Sequence, residues 1–456
     1  MDVKELKRLV CAAIEERKDE IIEFGEDIYR HPELGFMEHR TAGKIEEKFK
    51  ELGLEYQKGI AVTGLKARMK GKASRVTVGV MGEMDSVVCP THPDADPSTG
   101  AVHACAHNAQ ITSMLGAAIG LKAAGAARWL GGDVAFMAVP SEEGLGLPKD
   151  DSKIGKAIQE LKSSGRIRFS GGKQQFIFEG AFDDVDMVMQ VHSGPMSTMM
   201  MEESPHGKEY KVGVGGSFAG SVAKAARFIG KAAHPAIAPH IGINALSAAN
   251  LAMSAIHANR EGFRDEDMIR VHAVITKGGI PHSIPDDVRI EALVRSNSIE
   301  PLMDACRKVD RSLKAGAIAV GAEVTVDTAP GYMPCKTNRA LNDAFRKNAE
   351  ELVGKDMVGE AKSVAGTTDM GDVSHLMPVF HGRAGGITGR AHEPDYRIVD
   401  KYLAYVIPAK AMAMTVVDLL WDKADAAAEI KDNFKPVFTK ETWLEAWKTI
   451  MDSKVD

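Results

Sequence analysis

The amino-acid sequence predicts an α/β protein with a central, mostly parallel sheet covered by helices, and a smaller α+β domain inserted into it. Three apolar runs, at residues 75–81, 133–139 and 185–191, predict the sheet. They are too continuous for half-exposed strands and are typical of strands covered on both faces. A helical pattern at residues 111–124 separates the first two runs, which gives the strand, helix, strand order of an α/β protein.

The inserted domain is predicted from a different order of elements in residues 212–327. This stretch contains a helical pattern at 243–258, two candidate strands, a second helix at 301–315 and a last strand at 323–327. The strands are at 269–276 and 288–294. Strand, helix, strand, strand, helix, strand is the order of a ferredoxin-like unit. We therefore predict one large domain from residues 1–211 and 328–456, with residues 212–327 inserted.

Further helices are predicted on either side of these elements. Residues 1–20 have the pattern of one amphipathic helix, and residues 41–52 repeat apolar positions at helical spacing before Gly53 ends the pattern. The apolar stretch 402–420 predicts a helix that completes the large domain. The tail after Asp422 carries two more helical segments, to which the sequence assigns no role.

Composition excludes several classes of function. The net charge of −6 is spread along 456 residues without basic clusters, so nucleic-acid binding is not expected. No apolar run approaches the roughly 18 residues of a membrane span, and the N-terminus lacks the apolar core of a secretory signal. Five widely spaced cysteines argue against a disulfide framework. We expect a cytoplasmic protein that acts on a small molecule.

Polar residues follow the predicted strands and indicate a site at one edge of the sheet. Asp85 follows the first strand, Glu142 and Glu143 follow the second, and His192 follows the third. Open α/β sheets bind ligands outside the carboxyl ends of their strands. Of two adjacent acids at such a position, one is expected to bind a metal ion and the other to act as a base.

The segment VHACAHN adds candidate metal ligands. His103, Cys105 and His107 alternate along it, so an extended backbone would point all three to one side. Thiolate and imidazole are ligands that zinc prefers. Alone, the motif is better explained by a buried cysteine between two partly exposed histidines. Together with the acidic pair, His192 and His392 of the loop GRAHEP, it predicts a metal site.

These motifs resemble those of the di-metal amidohydrolases and peptidases related to aminoacylase. The resemblance is strongest to the branch with auxin-conjugate amidohydrolases, hippurate hydrolase and aminobenzoyl-glutamate hydrolases. It covers nearly the whole chain, in the expected order, through HPELGFMEHRTA, GEMD, HACAHN, SEEG, QVHSGP, FIGKAAHPA, GINAL, SIPD, GTTDMGDVS and GRAHEP.

The resemblance implies that five side chains bind two divalent metal ions: Cys105, His107, Glu143, His192 and His392. The expected metals are zinc or manganese, with cobalt and nickel as alternatives. Glu142 takes the role of general base. The large domain is then the catalytic domain, and the inserted domain is a lid through which two subunits form a homodimer.

The resemblance also implies roles outside the ligand set. His234 looks like the lid histidine that reaches into the partner subunit's site and stabilises the developing oxyanion. Asn244 and His282 occupy lid positions that contact substrate. Asp85 resembles the acid that orients a ligand from behind, and Asp369 a supporting residue near His392.

Two features depart from the family pattern. Ala106 stands where the family usually has glycine, so its methyl group could strain the ligand turn. An additional segment at 147–172 has no simple counterpart, and we expect it at the rim of the pocket.

The predicted function is hydrolysis of the amide bond of an N-acyl or N-aroyl amino acid, similar to aminobenzoyl-glutamate, or of a dipeptide. Two bound cations make hydroxide available at neutral pH and polarise the scissile carbonyl. The alternatives are hydrolytic deamination of an aromatic amine at the same site, and a non-catalytic binding protein that retains the fold. A thiol hydrolase using Cys105 and His107 is a weaker rival, because it leaves the acidic pair and two further histidines without a role.

Overall fold

The computed structural model describes residues 1–144, 153–197 and 200–452. A π-helical turn, Tyr402–Val406, leads directly into the eleventh helix. The helices are α1 Val3–Glu16, α2 Lys18–Tyr29, α3 His39–Glu51, α4 His107–Ala123, α5 Lys153–Ser163, α6 Gly172–Glu179, α7 Ala245–Ala258, α8 Ile299–Val320, α9 Arg339–Val353, α10 Met370–Ser374, α11 Ile407–Leu420, α12 Asp425–Asn433 and α13 Lys440–Asp452.

The strands form one large sheet, one four-stranded sheet and three short ladders. They are β1 Glu55–Ile60, β2 Gly64–Met69, β3 Thr77–Glu83, β4 Val87–Val88, β5 Ala101–Val102, β6 Asp133–Val139, β7 Met187–Ser193, β8 Val212–Val214, β9 Ser217–Phe218, β10 Gly220–Ile229, β11 Arg270–Lys277, β12 Asp287–Ser296, β13 Glu323–Pro330, β14 Cys335–Lys336, β15 Val358–Glu360, β16 Val379–Ala384, β17 Ile387–Thr388 and β18 Arg397–Ile398.

The large sheet has the strand order β1-β2-β6-β3-β7-β16-β8-β15. Its centre is parallel, because β3 pairs in parallel with both β6 and β7, and β7 pairs in parallel with β16. Strands β3 and β6 are buried along their whole length. The prediction of a mostly parallel sheet with covered faces is therefore confirmed, with antiparallel strands only toward the edges.

Apolar helices cover the large sheet. Helix α4 is buried from His107 to Leu121, which matches the apolar stretch predicted at 111–124. The stretch Tyr402–Leu420 is long and apolar enough to cross a membrane by length and composition, but 94% of its most apolar window is buried inside the protein. Burial of this kind is typical of the core helix of a globular protein.

The inserted domain has the predicted order of elements, β10-α7-β11-β12-α8-β13. Its sheet order is β11-β12-β10-β13, and every neighbouring pair is antiparallel. Buried residues alternate along β12, since one face of the sheet packs against α7 and α8. Together these features are those of a ferredoxin-like fold.

The predicted domain boundary at residue 212 falls inside the large sheet. Strand β8 pairs with β15 and β16 there, so it belongs to the large domain. At the other end, β13 continues in the small sheet to Pro330. We therefore propose that the inserted domain extends from residue 220 to residue 330.

The N-terminal helix predicted at residues 1–20 is broken in two. Arg17 lies between α1 and α2 with φ −102° and ψ 15°, outside helical geometry. Its guanidinium binds Glu20 and Glu51 instead of extending along the helix surface. The break lets the apolar faces of both helices pack on α4, which one straight helix would not allow.

The C-terminal helix α13 is fixed to the catalytic domain by a buried carboxylate. The indoles of Trp443 and Trp447 both donate to Asp372 Oδ1, at 2.8 and 2.7 Å. Asp372 Oδ2 accepts from Gln174 Nε2 and from the backbone N–H of Met333, each at 3.2 Å. The tail therefore braces α6 and α10, two short helices beside the candidate site.

We expect Asp372→Asn to lower the free energy of unfolding by about 2 kcal/mol, because an amide NH2 then faces hydrogen-bond donors on one side of the group. Urea unfolding followed by tryptophan fluorescence measures the change. Asp432→Asn, at an exposed position, is the matched control and should be neutral. Equal stability of the two variants would show that the carboxylate does not hold the helix.

Candidate active site

The candidate active site lies at the carboxyl ends of β3, β6 and β7. Cys105 and His107 come from the turn before α4 and from its first residue, and Glu142 and Glu143 follow β6. His192 is the penultimate residue of β7. These elements place the predicted ligands at one edge of the sheet, as their positions in the sequence predict.

The ligand atoms form two groups that share one sulfur atom. Cys105, His107 and His192 make up the first group, and the Cys105 Sγ to His192 Nε2 distance is 3.4 Å. Cys105, Glu143 and His392 make up the second, with 3.1 Å between Glu143 Oε1 and His392 Nε2. Within each group all ligand atoms lie within 4.8 Å of one another. All five predicted ligands are thus brought together.

A third group contains Glu83, His107 and Glu142. Glu142 Oε2 lies 3.9 Å from His107 Nε2, and Glu83 Oε2 lies 3.2 Å from the same nitrogen. This nitrogen is buried and has no hydrogen-bond partner among the described residues. A buried imidazole nitrogen facing carboxylates has the environment of a metal-binding atom. The donor set of thiolate, imidazole and carboxylate therefore fits a pair of divalent cations.

Asp85 contacts two of the predicted ligands from behind. Its Oδ1 lies 3.0 Å from His107 Nδ1, and its Oδ2 accepts from the Glu143 backbone N–H at 2.9 Å. A carboxylate on Nδ1 fixes the ring and leaves Nε2 available for a metal ion. This contact is the one that the predicted orienting role requires.

Three residues of the site have left-handed backbone conformations. They are Ala106 with φ 57°, Ser141 with φ 50° and His392 with φ 64°. Such values are uncommon for residues other than glycine and are often found at functional sites. Ala106 keeps the turn despite its methyl group, so the departure from glycine does not displace Cys105 from the ligand groups.

Hydrogen bonds from the surrounding segments hold these turns. The His392 backbone N–H donates to the carbonyl of Ala104 at 2.9 Å, which joins the last ligand loop to the first. Glu38 Oε1 accepts from the Ser141 backbone N–H at 2.9 Å, and its Oε2 accepts from Thr63. Glu38 lies in the motif HPELGFMEHRTA, to which the sequence alone assigns no role.

The electrostatics of the site favour bound positive charge. Burial and the Glu143 carboxylate oppose ionisation of Cys105, yet nearby imidazoles lower the pKa of its thiol to about 6. Hydrogen bonds from Cys105 and Glu143 raise the pKa of His392 to about 11. Burial, and then the carboxylates of Glu83 and Glu143, raise the pKa of Glu142 well above its ordinary value. Separated pKa values of neighbouring acids are typical of catalytic pairs.

His103 does not join the other two residues of its motif. It lies in none of the three ligand groups, and both ring nitrogens are buried without partners among the described residues. Burial lowers the pKa of its imidazole to about 3. The expectation that three alternating residues point to one side is wrong, because the backbone turns at Ala106 instead of remaining extended.

Asp369 is placed differently from the prediction. Its carboxylate binds the ammonium group and the backbone N–H of Lys173, and no contact with His392 is found in the parts of the chain that the structure describes. Lys173 also binds Glu83, and all three side chains are buried. Asp369 therefore acts on the site through Lys173 and Glu83, on the side of His107 and Glu142.

The lid residues lie apart from the ligand groups of their own chain. His234 is exposed on the inserted domain, and its Nδ1 accepts from the N–H groups of Ala236 and Ile237. The Asn244 oxygen caps helix α7, and His282 is exposed. Their predicted contacts with substrate remain predictions.

The additional segment at 147–172 falls partly outside the described residues. Its described part forms α5 and continues to Ser170, whose carbonyl accepts from Ser141 Oγ at 2.9 Å. This contact joins the end of the segment to the acidic turn. Its predicted place at the pocket rim remains a prediction.

Three charged residues of the site, Glu83, Lys173 and Arg383, have no role predicted from the sequence. Glu83 ends the strand before Asp85, so the motif GEMD could have indicated it. Arg383 stands in a buried strand, where a charged residue is itself a signal. Lys173 has no such signal, since a lysine beside two glutamines is typical of a solvent-exposed helix.

Known proteins share this fold and these motifs. The model of peptidase family M20/M25/M40 matches residues 79–411. Mouse Xaa-Arg dipeptidase is 27% identical over 435 residues, covering 92% of this chain and 90% of that protein. One of the subunits of the Escherichia coli p-aminobenzoyl-glutamate hydrolase is 23% identical over 486 residues, covering 99% and 88%. A dinuclear metal binding peptidase of the M20 family from Bacillus subtilis superposes with a TM-score of 0.65 at 21% identity, covering 88% and 98%.

Proposed function

The chain belongs to peptidase family M20/M25/M40 and is a metal-dependent hydrolase of C–N bonds, and we propose that it cleaves the amide bond of an N-acyl or N-aroyl amino acid or of a dipeptide. The observation that carries this proposal is the convergence of Cys105, Glu143 and three histidines beside the raised-pKa carboxyl of Glu142. Named relatives, among them the dipeptidase and the p-aminobenzoyl-glutamate hydrolase, support the choice of substrates.

We assign two divalent cations, zinc or manganese, to the ligand groups that share Cys105. His107 and His192 would hold one, and Glu143 and His392 the other. When bound, the cations would lower the pKa of a water molecule and polarise the carbonyl of the substrate. Asp85 keeps the His107 ring in the orientation that presents Nε2.

Glu142 is proposed as the group that moves the proton. Its carboxylate takes a proton from the attacking water and delivers it to the nitrogen as the C–N bond breaks, so one side chain serves both steps. Its surroundings suit this task, because burial and neighbouring acids raise its affinity for a proton. Tyr332 holds the turn by donating its hydroxyl hydrogen to the Glu142 carbonyl oxygen at 2.5 Å.

A chelator is expected to remove the activity, and zinc or manganese to restore it. The assay follows amine and carboxylic acid release from a panel of N-acyl amino acids, p-aminobenzoyl-glutamate and Xaa-Arg dipeptides. Activity that survives complete metal removal would favour a thiol mechanism at Cys105. Ammonia release without carboxylic acid would favour the deaminase alternative, and no turnover with any compound would contradict the proposal.

We propose that His234 acts in the site of a partner subunit and stabilises the oxyanion of the tetrahedral intermediate. Its place on the exposed surface of the inserted domain supports this, because it contacts none of the predicted ligands of its own chain among the described residues. Loss of one oxyanion donor typically lowers turnover by about 100- to 1000-fold. The enzyme would then be a cytoplasmic homodimer joined through its lids.

Mixing two inactive variants tests this arrangement. We expect Glu142→Gln and His234→Ala to restore about a quarter of wild-type activity when refolded or exchanged in equal amounts, since half of the dimers are mixed and each has one complete site. Activity and dimer content are measured on the same sample. No recovery in a mixed dimer would place His234 in its own subunit's site or outside catalysis.

A further inference from the structure

Arg383 is the one buried basic side chain without an acidic partner among the described residues. Five lysine or arginine side chains are buried in these parts of the chain. The four lysines each bind a carboxylate: Lys66 with Asp184, Lys173 with Glu83 and Asp369, Lys224 with Asp310, and Lys410 with Glu15. Arg383 is 8% exposed and has neither a salt bridge nor a side-chain hydrogen bond within the described ranges.

Its position places it beside the candidate metal centre. Strand β16 pairs with β7 in parallel, and Arg383 is in register with His192, so their α-carbons are about 4.8 Å apart and both side chains project from the same face of the sheet. The His381 ring on the same strand stacks on His192 with 6.2 Å between ring centroids. Arg383 therefore belongs to the same rim as the predicted ligands.

Phe218 orients the guanidinium group. The Arg383 Cζ atom lies 5.1 Å from the centroid of the Phe218 ring, and that ring contacts His381 edge-on at 4.7 Å. An aromatic ring against the face of a guanidinium leaves the N–H groups at its edge free to donate. The fork of donors is thus held in place while its hydrogen bonds remain unused within the described ranges.

An unused guanidinium in this environment calls for an anion. Burial lowers the pKa of Arg383 to about 10, although the Cys105 thiolate opposes the shift. The group remains charged at neutral pH, and a buried charge without a partner is costly. Of the anions that reach an amidohydrolase site, a carboxylate is the one whose two oxygens match the guanidinium fork.

We propose that Arg383 binds the carboxylate of the substrate and makes the enzyme selective for N-acyl amino acids or dipeptides with a free acid over their neutral analogues. This inference rests on the proposed amide hydrolysis and specifies its substrate class. The carboxylate would accept two hydrogen bonds from the guanidinium edge, beside the carbonyl that the metal centre acts on. Arg383 is then a specificity-determining residue and takes no part in proton transfer.

The test compares a free acid with its carboxamide in wild-type enzyme and in Arg383→Gln, both loaded with metal. The pair is the best substrate of the panel and the same compound with its carboxylate converted to a primary amide. We expect the wild type to prefer the acid by about 100-fold in kcat/KM, because an unpaired buried charge penalises the neutral analogue. Arg383→Gln should lose that preference to within about 3-fold, almost entirely through the acid.

Two further variants separate recognition from charge and folding. Arg383→Lys keeps the charge without the fork and should give an intermediate preference. Arg390→Gln removes an exposed guanidinium two residues from His392, so it should change both substrates by the same small factor. If Arg383→Gln lowered both substrates equally, or released metal, the residue would support Cys105 and the proposal would be overturned.

Failure of the proposed function gives a different result. If no member of the panel is cleaved, amide hydrolysis of these compounds is wrong, and binding of benzoylglycine and benzoylglycinamide to the metal-loaded wild type and Arg383→Gln tests Arg383 alone. Preference of the wild type for the acid, lost in the variant, would support an anion site. Equal binding of the two compounds by the wild type would overturn the proposal.

Discussion

Glu142→Gln is expected to lower turnover about 1000-fold while both metal ions remain bound. Glutamine has nearly the shape of glutamate, so the turn between β6 and the following segment should persist, held by Tyr332 through the backbone carbonyl. What is lost is the group that accepts and returns the proton. Steady-state kinetics and metal content are measured on the same preparation.

Glu143→Gln is the matched control for this variant. Glu143 lies in the ligand group of Cys105 and His392, so its change should release metal as well as activity. Glu142 also has one oxygen within 3.9 Å of His107 Nε2. If Glu142→Gln lost metal in the way expected of Glu143→Gln, Glu142 would be a ligand and the general base would have to be another group.

Lys173→Met is expected to lower the free energy of unfolding by about 3 to 5 kcal/mol, because it leaves two buried carboxylates without their cation. Lys173 is fully buried and binds both Glu83 and Asp369. Burial already raises the pKa of Asp369 to about 6, even with the ammonium group beside it. Chemical denaturation at neutral pH, followed by circular dichroism, measures the loss.

A second buried pair provides the comparison. Lys224 binds Asp310 in the inserted domain, away from the candidate site. Lys224→Met should lower stability in a similar way but leave kcat unchanged in the folded protein. Lys173→Met should also lower kcat, since Glu83 lies 3.2 Å from His107. Equal kinetics in the two variants would show that the Lys173 network is only structural.

The fold was largely predictable because its central strands are covered on both faces. Residues 133–139 form a strand with the same bounds as predicted, since a short, continuous apolar run between turn residues is typical of a covered strand. The inserted domain was predictable from the order of its elements. The break at Arg17 was not, because the charged pattern of α1 continues through it and the packing on α4 is a tertiary effect.

The candidate site was predictable where ligands follow strand ends or occur in distinctive motifs. Cys105, His107 and the acidic pair belong to such segments. The supporting charges were harder to find, because a lone Lys173 or Arg383 gains meaning only from the carboxylates or aromatic rings that folding places beside it. His103 shows the opposite error, since alternation along the sequence did not survive the left-handed turn at Ala106.

The central claim is that side chains distant in the sequence jointly hold two divalent cations. Anomalous diffraction at the zinc and manganese absorption edges, on crystals of the purified enzyme, tests it most directly. We expect two peaks among Cys105, His107, Glu143, His192 and His392, with the Cys105 sulfur about 2.3 Å from at least one if the metal is zinc. A crystal structure of the metal-loaded enzyme with no peak there, or with that sulfur turned away from the imidazoles, would contradict the account.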